Sequence, residues 1–136
     1  MGAVVFVDTS AFVAILVKEP EWRALSNKVA VAERCLTSPI VRLETSIVLG
    51  SRLLPSPREA ERQLQKLMYQ ADVEEIAVDP AVGPVAVACF ERYGKGRHPA
   101  RLNFADCLSY ACAKANRAFL LFKGEDFAKT DVNSWI

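Results

Sequence analysis

Four carboxylates stand where a carboxylate is least at home. Asp8 closes the apolar run Val4-Val5-Phe6-Val7. Glu44 interrupts the helix-like stretch from Ile40 to Leu49, Asp106 interrupts the one from Leu102 to Ala111, and Asp126 follows the apolar run Phe119-Leu120-Leu121-Phe122 after a short polar turn. An ionised carboxylate in apolar surroundings is costly unless it is paired or binds a cation. Carboxylates from several elements that meet at one edge repel one another and hold their protons more tightly, and a divalent cation relieves that strain. The single histidine, His98, and four cysteines without C-x-x-C spacing offer no zinc-type donor set. Oxygen ligation suits Mg²⁺, with Mn²⁺ as a substitute. Such an ion binds a phosphate oxygen and activates water, so in-line hydrolysis of a phosphodiester is the chemistry on offer.

Each acid also has a structural role open to it. Asp8 can cap the helix that follows it. Glu44 can pair with Arg42, Arg52 or a lysine, and Asp106 can cap or salt-bridge. Asp126 lies in a Gly-containing turn, where Asp is common. Spacing alone does not choose between these roles; a functional reading requires that the four meet in space.

The elements that must bring them together follow from the hydrophobic pattern. Val4 to Val7 reads as a strand buried on both faces, ending at an N-cap, Asp8-Thr9-Ser10. Helix continues over Ala11 to Val17, restarts at Glu19-Pro20-Glu21 and runs to about Glu33. Cys35 to Thr37 is a short strand, and Ser38-Pro39 opens a helix with Ile40, Leu43, Ile47 and Leu54 as its apolar positions. Pro55-Ser56-Pro57 breaks it, and residues 58–71 form an amphipathic helix with Leu64, Leu67 and Met68 on one face. Val73 to Val78 reads as a strand and Asp79-Pro80 to Tyr93 as a helix. Gly94 to Pro99 reads as a loop, 103–115 as a helix and Phe119 to Phe122 as a strand, with Val132 to Ile136 a last short strand. Strands alternating with helices give an α/β architecture with a central, mainly parallel sheet. In such sheets ligands bind beyond the C-terminal strand ends, which is where Asp8 and Asp126 fall.

In this order, the segments Val7-Asp8-Thr9-Ser10-Ala11, Leu43-Glu44-Thr45, Tyr93-Gly94-Lys95-Gly96-Arg97-His98-Pro99-Ala100, Leu102 to Ala111, Leu120 to Phe127 and Thr130-Asp131 resemble the PIN-domain ribonucleases, specifically the VapC-type toxins of bacterial toxin–antitoxin pairs. The resemblance covers nearly the whole chain. It implies a single PIN domain over residues 1–136, a three-layer sandwich of helices about the sheet, and a Mg²⁺-dependent endoribonuclease that leaves a 3′-hydroxyl and a 5′-phosphate. It implies catalytic acids at Asp8, Glu44, Asp106 and Asp126, with Asp8 and Asp106 holding the metal most directly and Thr9 or Ser10 adding a hydroxyl. Asp131 and Glu125 compete with Asp126 for the fourth place. It also implies a homodimer, an RNA substrate (transfer or ribosomal) and a cognate VapB-type antitoxin that covers the site.

Around the acids the sequence supplies cations. Residues 92–101 hold Arg92, Lys95, Arg97, His98 and Arg101 and no acid, a stretch suited to phosphate contacts and equally to a solvated loop. Tyr93 and His98 are candidates to stack on unpaired bases. Lys123 is a candidate to stabilise phosphate charge. Trp22 and Trp135 read as packing or interface residues rather than base platforms. Phe12, Val13, Leu16 and Trp22 read as core, with a partner surface as the alternative.

The whole chain is consistent with this. Its 136 residues are 51% hydrophobic and 24% charged with net charge +1, which fits one globular domain and excludes a disordered tail and a globally basic nucleic-acid wrapper. The start lacks the features of a signal peptide, no apolar run approaches bilayer length, and the cysteines read as buried reduced thiols, so a soluble cytoplasmic protein is expected. Two other readings compete. A phosphate-handling receiver or aspartate-nucleophile phosphatase is invited by Asp8 and Lys123, but Ser10 stands where the phosphatase pattern has a second Asp, and the receiver's adjacent acid pair is missing. A non-catalytic RNA- or protein-binding module is the other, against which the intact acid set argues.

Overall fold

The computed structural model describes residues 2–52 and 54–135. Val4–Val7 (β1), Arg34–Thr37 (β2), Val73–Glu75 (β3) and Phe119–Leu121 (β4) form one parallel sheet in the order β3-β2-β1-β4. Val5 lies opposite Cys35 on one side of β1, and Phe6 lies opposite Leu120 on the other. Parallel neighbours need long crossovers. Helices supply them: α1 (Thr9–Leu16) and α2 (Trp22–Val31) after β1, α3 (Pro39–Arg52) and α4 (Pro57–Gln70) after β2, α5 (Val82–Tyr93) and α6 (Phe104–Ala115) after β3. The α/β architecture expected from the sequence is the one adopted. A 3₁₀ turn, Phe127–Lys129, follows β4.

Helices cover both faces of an inner strand of such a sheet, so β1 reads as an unbroken apolar run, and Val5, Phe6 and Val7 are fully buried. The core continues through Phe12, Leu36, Leu64, Leu102 and Leu120. From β1 the chain moves outward to β2 and β3, then returns to the far side of β1 as β4. The crossovers therefore diverge between β1 and β4, and the crevice at their C-terminal ends is the place where ligands bind in open α/β sheets. This strand order also differs from the 2-1-3-4-5 order of receiver-like folds, which removes that reading.

Some local expectations are corrected. Leu43 and Ile47 are 59% and 52% exposed, and α3 instead buries Val41, Thr45 and Leu49. The stretch is apolar on two sides, so helical periodicity alone had two solutions. β3 stops at Glu75 rather than Val78, because only Cys35, Leu36 and Thr37 of β2 are there to pair with it. The C-terminal segment makes an isolated bridge, Ser134 to Leu120, in place of a strand; Ile136 lies outside the described residues. Phe12 and Val13 are buried, as core residues should be. Trp135 packs on Phe119 and donates its indole N–H to the Lys28 carbonyl at 2.8 Å. All four cysteines are buried free thiols.

Candidate active site

The site begins with two helix starts. Asp8 leaves β1 and N-caps α1: its Oδ2 accepts the Ser10 N–H at 3.0 Å and the Ser10 hydroxyl at 2.8 Å. Asp106 sits in the first turn of α6 within a capping box. Its Oδ2 accepts the Asn103 N–H at 3.0 Å, while the Asn103 side chain accepts the Asp106 N–H at 2.8 Å. The structural role foreseen for each acid is therefore real. It also occupies only one oxygen of each carboxylate. Asp8 is 3% exposed, and its Oδ1 is the one buried side-chain oxygen among the described residues without a hydrogen-bond partner. A buried acceptor left unpaired is costly, so such an atom calls for a ligand.

Asp8, Glu44 and Asp106 line a single cleft of about 260 Å³ together with Thr9, Ser10, Glu19 and Lys123. Glu44 comes from the interior of α3 beside the Thr9 hydroxyl, which acts to lower its pKa, and Thr45 donates to that hydroxyl at 3.3 Å. Burial raises the pKa of Glu44, and the neighbouring Asp8 charge adds to it. Asp106 is pushed up to about 7. Burial dominates there, the Asn103 N–H opposes it, and the charges of Asp8, Glu44 and Asp126 raise it further. Acids that lie far apart in sequence thus do feel one another. Larger grooves lie elsewhere, over α3 and α4 and between α5 and α6, but neither contains this set.

The fourth acid stands apart. Asp126 is exposed and does not line the cleft, although its charge reaches Asp106. Glu125 is exposed beside it. Asp131 is engaged elsewhere: it accepts from the Tyr110 hydroxyl at 2.6 Å and from Lys114 at 3.3 Å, and it lies 3.6 Å from Arg92. Among the described residues no three His, Cys, Asp or Glu side chains stand close enough to hold one metal ion between them. Two carboxylates, Asp8 and Asp106, with their second oxygens uncommitted, nevertheless suit Mg²⁺, which commonly takes one or two carboxylates and keeps several waters.

The basic stretch divides. Arg92 is drawn to Asp131 and over the Tyr93 ring. Tyr93 is 4% exposed, which removes it as a platform for bases: it closes the core under the loop, and its hydroxyl accepts the Asp131 N–H. His98 stands edge-on to Tyr93 and its Nδ1 accepts the Ala100 N–H at 3.0 Å, so it orders the loop. Lys95, Arg97 and Arg101 are exposed and make no ion pair among the described residues. Arg42 turns away from Glu44 to Glu75, at 3.0 Å, and to Glu61, at 3.4 Å. Two cleft neighbours escaped the sequence reading, Glu19 and Glu21. Both lie at the ammonium of Lys123, Glu21 at 3.2 Å. They read from sequence as helix-start acids, and only the fold brings residue 123 to them.

A family model for the PIN domain matches residues 5–133. The chain belongs to the PIN-domain family. Within it, the chain is 44% identical to Ribonuclease VapC of Mycolicibacterium smegmatis over 126 residues, 93% of this chain and 95% of that one. It is 40% identical to Ribonuclease VapC30 of Mycobacterium tuberculosis over 93% of this chain and 94% of that one. These identities place this PIN domain among the VapC ribonucleases, as the sequence motifs implied. The fold agrees: Mycobacterium tuberculosis VapC20, described as a sarcin-ricin loop cleaving toxin, superposes with a TM-score of 0.74 at 19% identity, covering 94% of this chain and 95% of that one. A toxin–antitoxin complex from Klebsiella pneumoniae gives 0.67 at 16% identity, over 93% and 92%.

Proposed function

We propose that this PIN-domain protein is a Mg²⁺-dependent endoribonuclease, the toxin of a toxin–antitoxin pair, with Asp8 and Asp106 as its metal ligands. The observation that carries the reading is the orphaned Oδ1 of buried Asp8, set in one cleft with Glu44 and Asp106 at the switch point of the sheet. When bound, a divalent ion neutralises phosphate charge there and activates water for in-line attack.

The chain's own residues do the rest. The helix starts of α1 and α6 hold the two aspartates in place, and at Asp106 the Asn103 N–H opposes the burial that raises its pKa. Glu44, beside Thr9, completes the negative side of the cleft. Ser10 links the two sheet ends: its hydroxyl donates to Asp8 and accepts the Lys123 N–H at 3.0 Å. Among the described residues Lys123 is the only cation lining the cleft, placed to face the incoming phosphate. Asp126, at the rim, adds negative charge felt at Asp106. Lys95, Arg97 and Arg101 guide the RNA backbone by charge, with Arg92 and His98 shaping their loop. The substrate is transfer or ribosomal RNA.

A VapB-type antitoxin covers the cleft, a partner class supported by the toxin–antitoxin complexes among the fold's neighbours. A homodimer forms through the apolar groove between α5 and α6, where Val87, Phe90 and Phe104 are exposed. No helix of the described residues is long and apolar enough to cross a membrane, and the buried thiols suit a reducing cytoplasm.

The test is incubation of purified, antitoxin-free protein with total cellular RNA, in Mg²⁺ or Mn²⁺, in EDTA, and as the Asp8→Asn variant. Discrete fragments that need both metal and Asp8 are expected. RNA binding without cleavage in every condition overturns the enzyme in favour of a binding module.

A further inference from the structure

A lysine lines the same cleft as three site carboxylates, yet the buried Oδ1 of Asp8 has no partner. An ammonium on a flexible stem beside Asp8, Glu44 and Asp106 ought to fold onto them. It does not, because Lys123 is bonded to Glu19 and lies 3.2 Å from Glu21. This pair differs from a loose surface ion pair in that both of its backbones are anchored. The Glu19 N–H donates to the Ala14 carbonyl at 2.9 Å, and the Glu19 carbonyl accepts from Trp22 at 2.8 Å. The Lys123 N–H is held on Ser10. Glu19 and Glu21 both stand within ion-pair distance of the ammonium, whereas none of Asp8, Glu44 and Asp106 does, and Coulomb attraction falls with distance.

We infer that Glu19 and Glu21 are positioning residues that hold Lys123 off Asp8, Glu44 and Asp106 and so keep those carboxylates open to a divalent cation. The inference rests on the reading of the cleft as a cation site. An ammonium and a divalent ion compete for the same oxygens, and a site that needs a cation close to its phosphate must stop that cation from taking the metal's place. Glu19 and Glu21 give Lys123 a better-placed partner, leaving the Asp8 Oδ1 to the metal.

The experiment is calorimetric titration of the full-length, metal-free protein with Mn²⁺, which reads affinity without reference to catalysis. Circular dichroism on each variant confirms its fold. The Glu19→Gln/Glu21→Gln protein is expected to bind Mn²⁺ on the order of ten-fold more weakly than the wild type. Adding Lys123→Met to it is expected to restore the affinity, since the competing ammonium is gone. Adding Lys66→Met instead, on the exposed outer part of α4, makes the same change in net charge and is expected to restore nothing. Three results overturn the inference while leaving the cation site intact: unchanged affinity in the double variant, no rescue by Lys123→Met, or equal rescue by Lys66→Met. Absence of Mn²⁺ binding by the wild-type protein overturns the cation-site reading and this inference with it.

Discussion

Asp8 and Asp106 each give one oxygen to a helix end, which holds the carboxylate in place, and the proposed function assigns the other oxygen to the metal. Replacing either acid by Asn keeps the cap acceptor and removes the charge. Asp8→Asn and Asp106→Asn are therefore expected to fold and to lose activity on the order of 100-fold or more, measured by cleavage of a labelled RNA. The raised pKa of Asp106 also has a stability consequence. Its folded value, about 7, lies above the ordinary carboxylate value of 3.8, so the folded state holds the proton more tightly than the unfolded chain. That contribution is complete below pH ~4 and is lost as pH rises to about 7. The melting temperature of metal-free protein should carry a component that falls across this window, that Asp106→Asn removes, and that saturating Mg²⁺ offsets at neutral pH.

At the scale of elements, the capping box of α6 is the device that aims Asp106. Asn103→Ala removes the acceptor for the Asp106 N–H and is expected to cost about 1 kcal/mol of stability, read by urea unfolding. It should also weaken Mn²⁺ binding, because the reciprocal bond from the Asn103 N–H to Asp106 then loses its frame. Asn103→Asp, which keeps a cap, should restore the stability. The loop before α6 belongs to the same design. Tyr93 and His98 order its base from within, and Lys95, Arg97 and Arg101 are left to solvent. Replacing those three by Gln should flatten the salt dependence of RNA binding without altering the melting curve by more than a few tenths of a kcal/mol.

For the molecule as a whole, the position of β1 decides where chemistry can occur. Its neighbours β2 and β4 reach it by crossovers that diverge, and the crevice so formed receives Asp8 from β1 and Lys123 from the end of β4. Leu120, fully buried on β4, holds that juxtaposition. Leu120→Ala is expected to cost about 3 kcal/mol in chemical denaturation and to lower activity through loss of folded protein. On the outer surface, Val87 is 70% exposed beside Phe90 and Phe104. If the proposed dimer forms through this groove, light scattering gives a dimer for the wild type and a monomer for Val87→Glu, with the monomer's melting unchanged.

The sequence by itself determined the class of architecture and singled out Asp8, Glu44 and Asp106, which the fold brings to one cleft, whereas Asp126 stays outside it. An apolar run such as Val4-Val5-Phe6-Val7 has one economical place, the inside of a parallel sheet, and Asp8 must then emerge at its C-terminal end. Short-range chemistry was legible too: the Asp8 cap and the start of α6 depend on neighbours a few residues away. Contacts across the fold were decided by tertiary structure alone. α3 could have buried either of two apolar faces, and packing chose Val41 and Leu49 over Leu43 and Ile47. Tyr93 read as a candidate base platform in a basic loop, and the fold buries it, with its hydroxyl accepting the Asp131 N–H. Glu19 and Glu21 gained their meaning only when β4 returned beside β1, because an ion pair between residues about a hundred positions apart leaves no mark on local pattern. Local pattern records which groups are costly to bury. The fold decides which other groups meet them, and that is a matter of strand order and crossover rather than of spacing.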